Sequence, residues 1–263
     1  MGSLRMSSPA LAKFSDRILE VKRLLALCSP EDADIRVKRE NADRDNALLR
    51  GAHVLLCSHL EGFIEDLVAD VIEIYDKLTD SIGQIPDELL ARQVMGAEAK
   101  WEAKDPTRRW AQIKSCHAHP LMRTDGVKAS GCMEPGLHTD GFANPGSNEV
   151  EALFKTVGLH EIWARFEAVE ADKIYMQSLN IIVHRRNQIA HGKYEASITL
   201  FDAKTYVVRA ERIAQVLDLV VANEVESRLG IIQCWRALEK AATAVVLAGA
   251  LDVDTSAALG VEG

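Results

Sequence analysis

The sequence predicts an all-α protein, an antiparallel helical bundle with an N-terminal helical extension, a long Gly/Pro-rich loop and room for one short β-hairpin. Three observations carry that prediction. The chain is 48% hydrophobic but only 5% aromatic, its apolar residues being mostly Ala, Leu, Val and Ile, a mix that suits packed helices better than β-sandwiches. Apolar residues recur at spacings of three and four over long stretches. There is no βαβ alternation, which argues against a dinucleotide-binding α/β sheet. At 263 residues the chain can bury a substantial core.

The elements follow in order. Residues 1–45 form the extension, with helices predicted over 10–28 and 31–45, the second rich in charge. The main helical domain covers 46–251 and a frayed tail covers 252–263. The clearest helix runs from about Asn46 to Leu78, where Leu49, Ala52, Leu56, Leu60, Phe63, Leu67, Val71, Ile74 and Leu78 make one continuous apolar stripe. Shorter helices are expected around 86–100 and 107–117. An irregular insertion at about 115–148 carries glycines at 126, 131, 136, 141 and 146 and prolines at 135 and 145, which read as turns. Asn148 reads as an N-cap, with Glu149 and Glu151 in the first turn that follows. Helical periodicity returns over 160–191 and 209–250. Between them the β-branched stretch 195–210 fits a hairpin turning at Asp202, Ala203 and Lys204.

Composition narrows the function. A net charge of −8 means that nucleic acid would have to be held by a local basic patch, not by the overall field. The N-terminus lacks the apolar core of a secretory leader, and the apolar run at 241–251 is too short to span a bilayer. The five cysteines at 28, 57, 116, 132 and 234 are scattered and odd in number, so reduced thiols and a cytoplasmic location are expected. No P-loop, G-x-G-x-x-G or G-x-S-x-G string is present. Cys116, His117, His119, Cys132 and His138 are zinc-ligand types, but their C-x2-H and C-x5-H spacings match no common zinc module and no metal is expected. Trp101 and Trp110 flank Arg108 and Arg109, an arrangement able to stack bases beside phosphates, though helix-packing tryptophans are the commoner case.

The anomaly lies in "VHRRNQIAHGKY", residues 183–194. On a helical wheel Tyr175, Leu179, Ile182, Ile189 and Ala190 share the face that should be buried, and Arg186 falls in its middle. A guanidinium there is costly unless it pairs or lines an anion-binding cleft. The plain alternative is an ion pair with a carboxylate such as Glu61 or Asp66. His184, Asn187 and His191 lie together on another side, and for them the plain alternative is a solvated polar face beside the helix dipole.

"RNQIAH" resembles the Arg-(polar)-x-x-x-His signature of HEPN-domain ribonucleases, with Arg186, Asn187 and His191 in its places. "LLCSHLEGFIEDLV" (55–68) and "FANPGSNEVEALFKTVGL" (142–159) are similar to segments of the RiboL-PSP-HEPN branch found in bacterial conflict systems. The resemblance covers roughly 45–195 and implies a HEPN-type bundle. It further implies metal-independent cleavage of single-stranded RNA through attack of a ribose 2′-OH, without a cofactor. Arg186, Asn187 and His191 would be catalytic, and Arg185, Lys193 and His184 would hold substrate. His191 would move protons, and Arg186 would hold phosphate oxygens. Arg186 and His191 stand about 140° apart on the wheel, so the resemblance also implies a homodimer in which two motif helices share one cleft. Partners would be RNA and an antitoxin or other defence-system protein. The rival expectations are an inactive binding module for RNA, nucleotide or protein, and an antitoxin or regulatory subunit.

Overall fold

The computed structural model describes residues 6–79, 81–95, 121, 131–172, 174–192 and 197–243. Its helices are α1 (Pro9–Ala26), α2 (Ile35–Glu40), α3 (Ala42–Leu78), α4 (Asp87–Met95), the single turn α5 (Gly136–Thr139), α6 (Ser147–Lys155), α7 (Ile162–Val169), α8 (Ile174–Ala190) and α9 (Leu200–Leu229). A further helix, α10, occupies 234–243. The described residues are all-α, as predicted.

The 37-residue α3 is the spine. Leu49, Ala52, Leu56, Leu60, Phe63, Leu67, Val71 and Ile74 of its predicted stripe are buried. Together with Phe14 and Ile18 of α1 and Ile213, Leu217 and Val221 of α9, they form one core. The extension is thus packed into the bundle through α1. Ser8 caps α1 by accepting from Leu11 N at 2.9 Å, and Pro9 occupies the first helical position, where its missing N–H costs nothing. Ser8 N donates to Asp218 of α9 at 3.1 Å and Ala10 N to Asp70 of α3 at 2.9 Å. Two buried carboxylates therefore clamp the N-terminal end of α1, where orphan N–H groups and the helix dipole favour acceptors.

Several boundaries depart from expectation. The hairpin at 195–210 does not form: Asp202, Ala203 and Lys204 lie in the first turn of α9. Thr199 and Asp202 make a reciprocal capping box there. Ala203, Tyr206, Val207 and Ala210 then bury one helical face, and that packing overrides the β-branched propensity of the stretch. The helix predicted over 209–250 thus starts at Leu200 and stops at Gly230, a left-handed cap with φ 65°. The helix predicted over 160–191 is broken between Val169 and Ile174, where Glu170 turns aside to meet Arg212 at 2.5 Å. The charged stretch 31–45 supplies only α2 before α3 begins at Ala42. The cap of α6 is Gly146, not Asn148. The helix predicted at 107–117 lies outside the described residues.

Within the insertion, Gly131 N and Cys132 N donate to the buried Asp76 at 2.8 and 3.2 Å, and Met133 and His138 are buried. Burial first, and then Arg92, pushes the His138 imidazole down to about 4, so it is neutral. No described helix is long and apolar enough to cross a membrane.

The α1 clamp has a pH signature. Burial, opposed by the Ala10 N–H and by Lys13, raises the Asp70 carboxyl from its usual 3.8 to about 7. A raised acid binds its proton more tightly folded than unfolded, so its contribution is intact below about pH 4 and declines as pH rises towards 7. The Asp70→Asn variant is expected to lack this decline, so its urea stability relative to wild type should rise between pH 4.5 and 7.5.

Candidate active site

Helix α8 holds the anomalous stretch. It buries Ser178, Leu179, Ile182, Val183 and Ile189. Ala190, expected on the buried face, is exposed instead. The helix stops where expected: His191 N reaches Asn187 O and Gly192 N reaches Ile189 O, both at 3.0 Å, and Gly192 takes φ 70°, the left-handed conformation glycine enters freely.

The seam between α3 and α8 is polar at its centre. His53 Nε2 donates to Ile182 O at 2.9 Å, and Cys57 Sγ donates to the same carbonyl at 3.6 Å. Desolvation lowers the His53 pKa, consistent with a neutral ring, and raises the Cys57 thiol to about 12. Both are therefore uncharged packing groups, not proton carriers at neutral pH. Arg50 Nη2 adds a long bond to Ile189 O at 3.4 Å, placing a cation at the C-terminal end of α8 where the dipole welcomes it.

One turn beyond Ile182, Arg186 points inward from α8. Its Nη2 lies 3.6 Å from Glu61 Oε2, with 26% and 22% of the two side chains exposed. Its Nη1 donates to Asn144 Oδ1 at 2.5 Å and to Asn187 Oδ1 at 3.1 Å. Of the two carboxylates considered from sequence, Glu61 is the partner; Asp66 faces Lys13 and Arg17 of α1 instead. Asn144 N also donates to Glu61 Oε2, at 3.2 Å. The turn carrying Asn144 is fixed by Ser147 N to Asn180 Oδ1 at 2.8 Å, Asn180 Nδ2 to Ser147 Oγ at 2.9 Å and Trp163 Nε1 to Ser147 O at 2.8 Å.

The structure thus brings Arg186 and Asn187 together and adds Glu61 and Asn144. The His191 side chain is exposed at the helix end and has no polar partner among the described residues. Arg185 turns away to Ser197 O at 2.6 Å, and His184 faces Gln188 at 3.0 Å on the surface. Lys193 lies outside the described residues, as do Cys116, His117, His119, Trp101 and Trp110. Among the described residues no cluster of three or more His, Cys, Asp or Glu could hold a metal. Sequence reasoning missed Asn144 and Arg50. The Asn-Pro pair at 144–145 signalled a turn, but nothing in it announced a partner 42 positions away.

These features define a helical-bundle protein whose functional candidate is a basic helix end laid against an acidic residue of the longest helix. A model of the RiboL-PSP-HEPN family matches residues 13–223, well beyond the 45–195 over which the resemblance was visible, and the chain belongs to that family, within the HEPN superfamily. No curated protein and no solved structure matches it.

The Arg186–Glu61 pair should behave as a partly buried charge pair. Glu61→Ala strands a guanidinium and is expected to cost about 1–2 kcal/mol in chemical denaturation. Adding Arg186→Leu, which restores the apolar face, is expected to recover much of that loss.

Proposed function

We propose that this protein is a metal-independent endoribonuclease that cleaves single-stranded RNA as a homodimer, serving as a toxin or antiviral effector. The observation that carries the reading is the partly exposed Arg186, fixed beside Asn187 and five residues before an exposed His191, in a chain of the RiboL-PSP-HEPN family. Arg186 would neutralise the phosphoryl oxygens as the 2′-OH attacks phosphorus, a role suited to a permanently charged fork. His191, open to solvent, would protonate the departing 5′-oxygen. The products would be a 2′,3′-cyclic phosphate and a 5′-hydroxyl. Arg185, Lys193 and His184 would guide the RNA backbone.

A second copy is supported by exposed apolar surface on α8 and α9. Ile174 and Ile181, both exposed, fall on the same stripe of α8 as His184, Gln188 and His191. Beside Ile174, on α9, Phe201 and Val208 are each 65% exposed. Apolar surface of this kind favours association, and covering it would set two copies of α8 against each other. A second reading, a non-cleaving module that binds RNA, nucleotide or a partner protein, or an antitoxin, is favoured by Arg186 being already paired with Glu61 while His191 stands apart from it.

The two readings separate on incubation of wild type, Arg186→Ala and His191→Ala with single-stranded RNA in excess chelator. Cleavage by wild type, with cyclic phosphate ends, and a rate loss of about a hundredfold or more in each variant are expected. Equal activity in all three, or loss of wild-type cleavage on chelation, would rule the proposal out. For the dimer, light scattering should give about twice the 29.0 kDa of one chain, and Ile181→Glu with Phe201→Glu should return that mass to one chain.

A further inference from the structure

We propose that Asn144 is a positioning residue, which aims the Arg186 guanidinium at the substrate phosphate; this rests on the ribonuclease reading above. Asn144 has φ 55°, the left-handed region that side chains enter at a cost, Asn at less cost than most. It does so directly before Pro145 and within a tight turn, where Gly146 N returns to Asn144 O at 2.6 Å. A backbone outlier held by its surroundings is a reason to ask what it is held for.

The answer lies in its two polar groups, which face the two halves of one ion pair. Its N–H donates to Glu61 Oε2 at 3.2 Å, and its Oδ1 accepts from Arg186 Nη1 at 2.5 Å. An extended residue at this position would turn one of those groups away. Glu61 alone meets Arg186 at only 3.6 Å, which is attraction without a fixed geometry. Asn144 supplies the directional bond. With Nη1 committed to Asn144 and Asn187 and Nη2 beside Glu61, Nε has no bonded partner among the described residues. The Nε–H edge of the guanidinium is thereby left for a phosphate oxygen, in one orientation. The turn itself is anchored through Ser147 to Asn180 of α8 and to Trp163 of α7, so Asn144 is tied to the helix whose arginine it holds.

Asn144→Gly is the sharp test, because glycine keeps the left-handed turn and the N–H to Glu61 and deletes only the acceptor. RNA cleavage and thermal unfolding are compared for wild type, Asn144→Gly, Asn144→Asp, Arg186→Ala and the Arg186→Ala/Asn144→Gly double variant. Asn144→Gly is expected to lower kcat by about tenfold or more with KM within about threefold, the mark of an interaction used in the transition state. Asn144→Asp, which keeps the acceptor and tolerates the turn, should retain most of the activity. In the Arg186→Ala background Asn144→Gly should change the rate less than about twofold, since its effect runs through the missing arginine. A wild-type kcat for Asn144→Gly, or the same fold loss in both backgrounds, would overturn the inference while leaving the ribonuclease reading intact. If wild type does not cleave, that reading fails, and the same variants are compared for binding a fluorescent single-stranded 2′-deoxy-oligonucleotide. Weakening by Asn144→Gly to the level of Arg186→Ala, without further loss in the double variant, would then support Asn144 as the residue that orients Arg186. Absence of binding by wild type, or additive losses, would overturn it.

Discussion

A guanidinium on the inner face of a helix constrains everything around it. Arg186 occupies a position where α8 would otherwise present an apolar side chain to α3, and a charge there needs compensation within a few ångströms. Glu61 provides the charge and Asn144 the direction. This fixes the packing of three separate pieces of chain: the middle of α3, the turn before α6 and the last turns of α8. The neighbouring bonds are consistent with that register, since His53 and Cys57 both reach Ile182 O one turn before the arginine. The seam is polar where the site lies and apolar on either side, and Leu179 and Ile189 bracket it along α8.

Much of this was legible in the sequence because helices advertise themselves by period. The α3 stripe was read residue by residue, and the same periodicity made Arg186 conspicuous as the one charge on an apolar face. The stop at Gly192 was legible for a similar local reason. What failed were stretches where two local signals conflicted. Residues 199–210 carry β-branched side chains in a pattern that also buries Ala203, Tyr206 and Ala210 at helical spacing, and only the presence of a core to pack against decides between the two. The break before Ile174 depends on Glu170 meeting Arg212 of α9, a contact that no local window contains.

Asn144 shows a different limit. Its neighbours Pro145 and Gly146 mark a turn on chemistry alone, yet the value of the turn comes from what lies opposite. The sequence names Glu61 as a carboxylate able to meet Arg186. It does not say that a third residue must bridge them, because the need for a bridge appears only with the 3.6 Å separation. Local chemistry set the conformations available to the turn, and tertiary geometry gave one of them a use.

Arg186 and His191 face different ways from the end of α8. Five residues along one helix place them about 140° apart; the arginine is held inward by Glu61 and Asn144, while the histidine is exposed beyond the last α8 turn. Within one chain these groups serve different environments: a fixed cation in a half-buried seam, and a proton carrier open to solvent. A reaction that needs both at one phosphate must therefore gather them from outside a single helix. The exposed Ile174 and Ile181 lie on the stripe that carries His191 and not on the face that carries Arg186. Association through that stripe would set two copies of α8 against each other, with each arginine at the rim of its own seam. The phosphate of a bound strand, not a contact within the protein, would then be the object that joins the two.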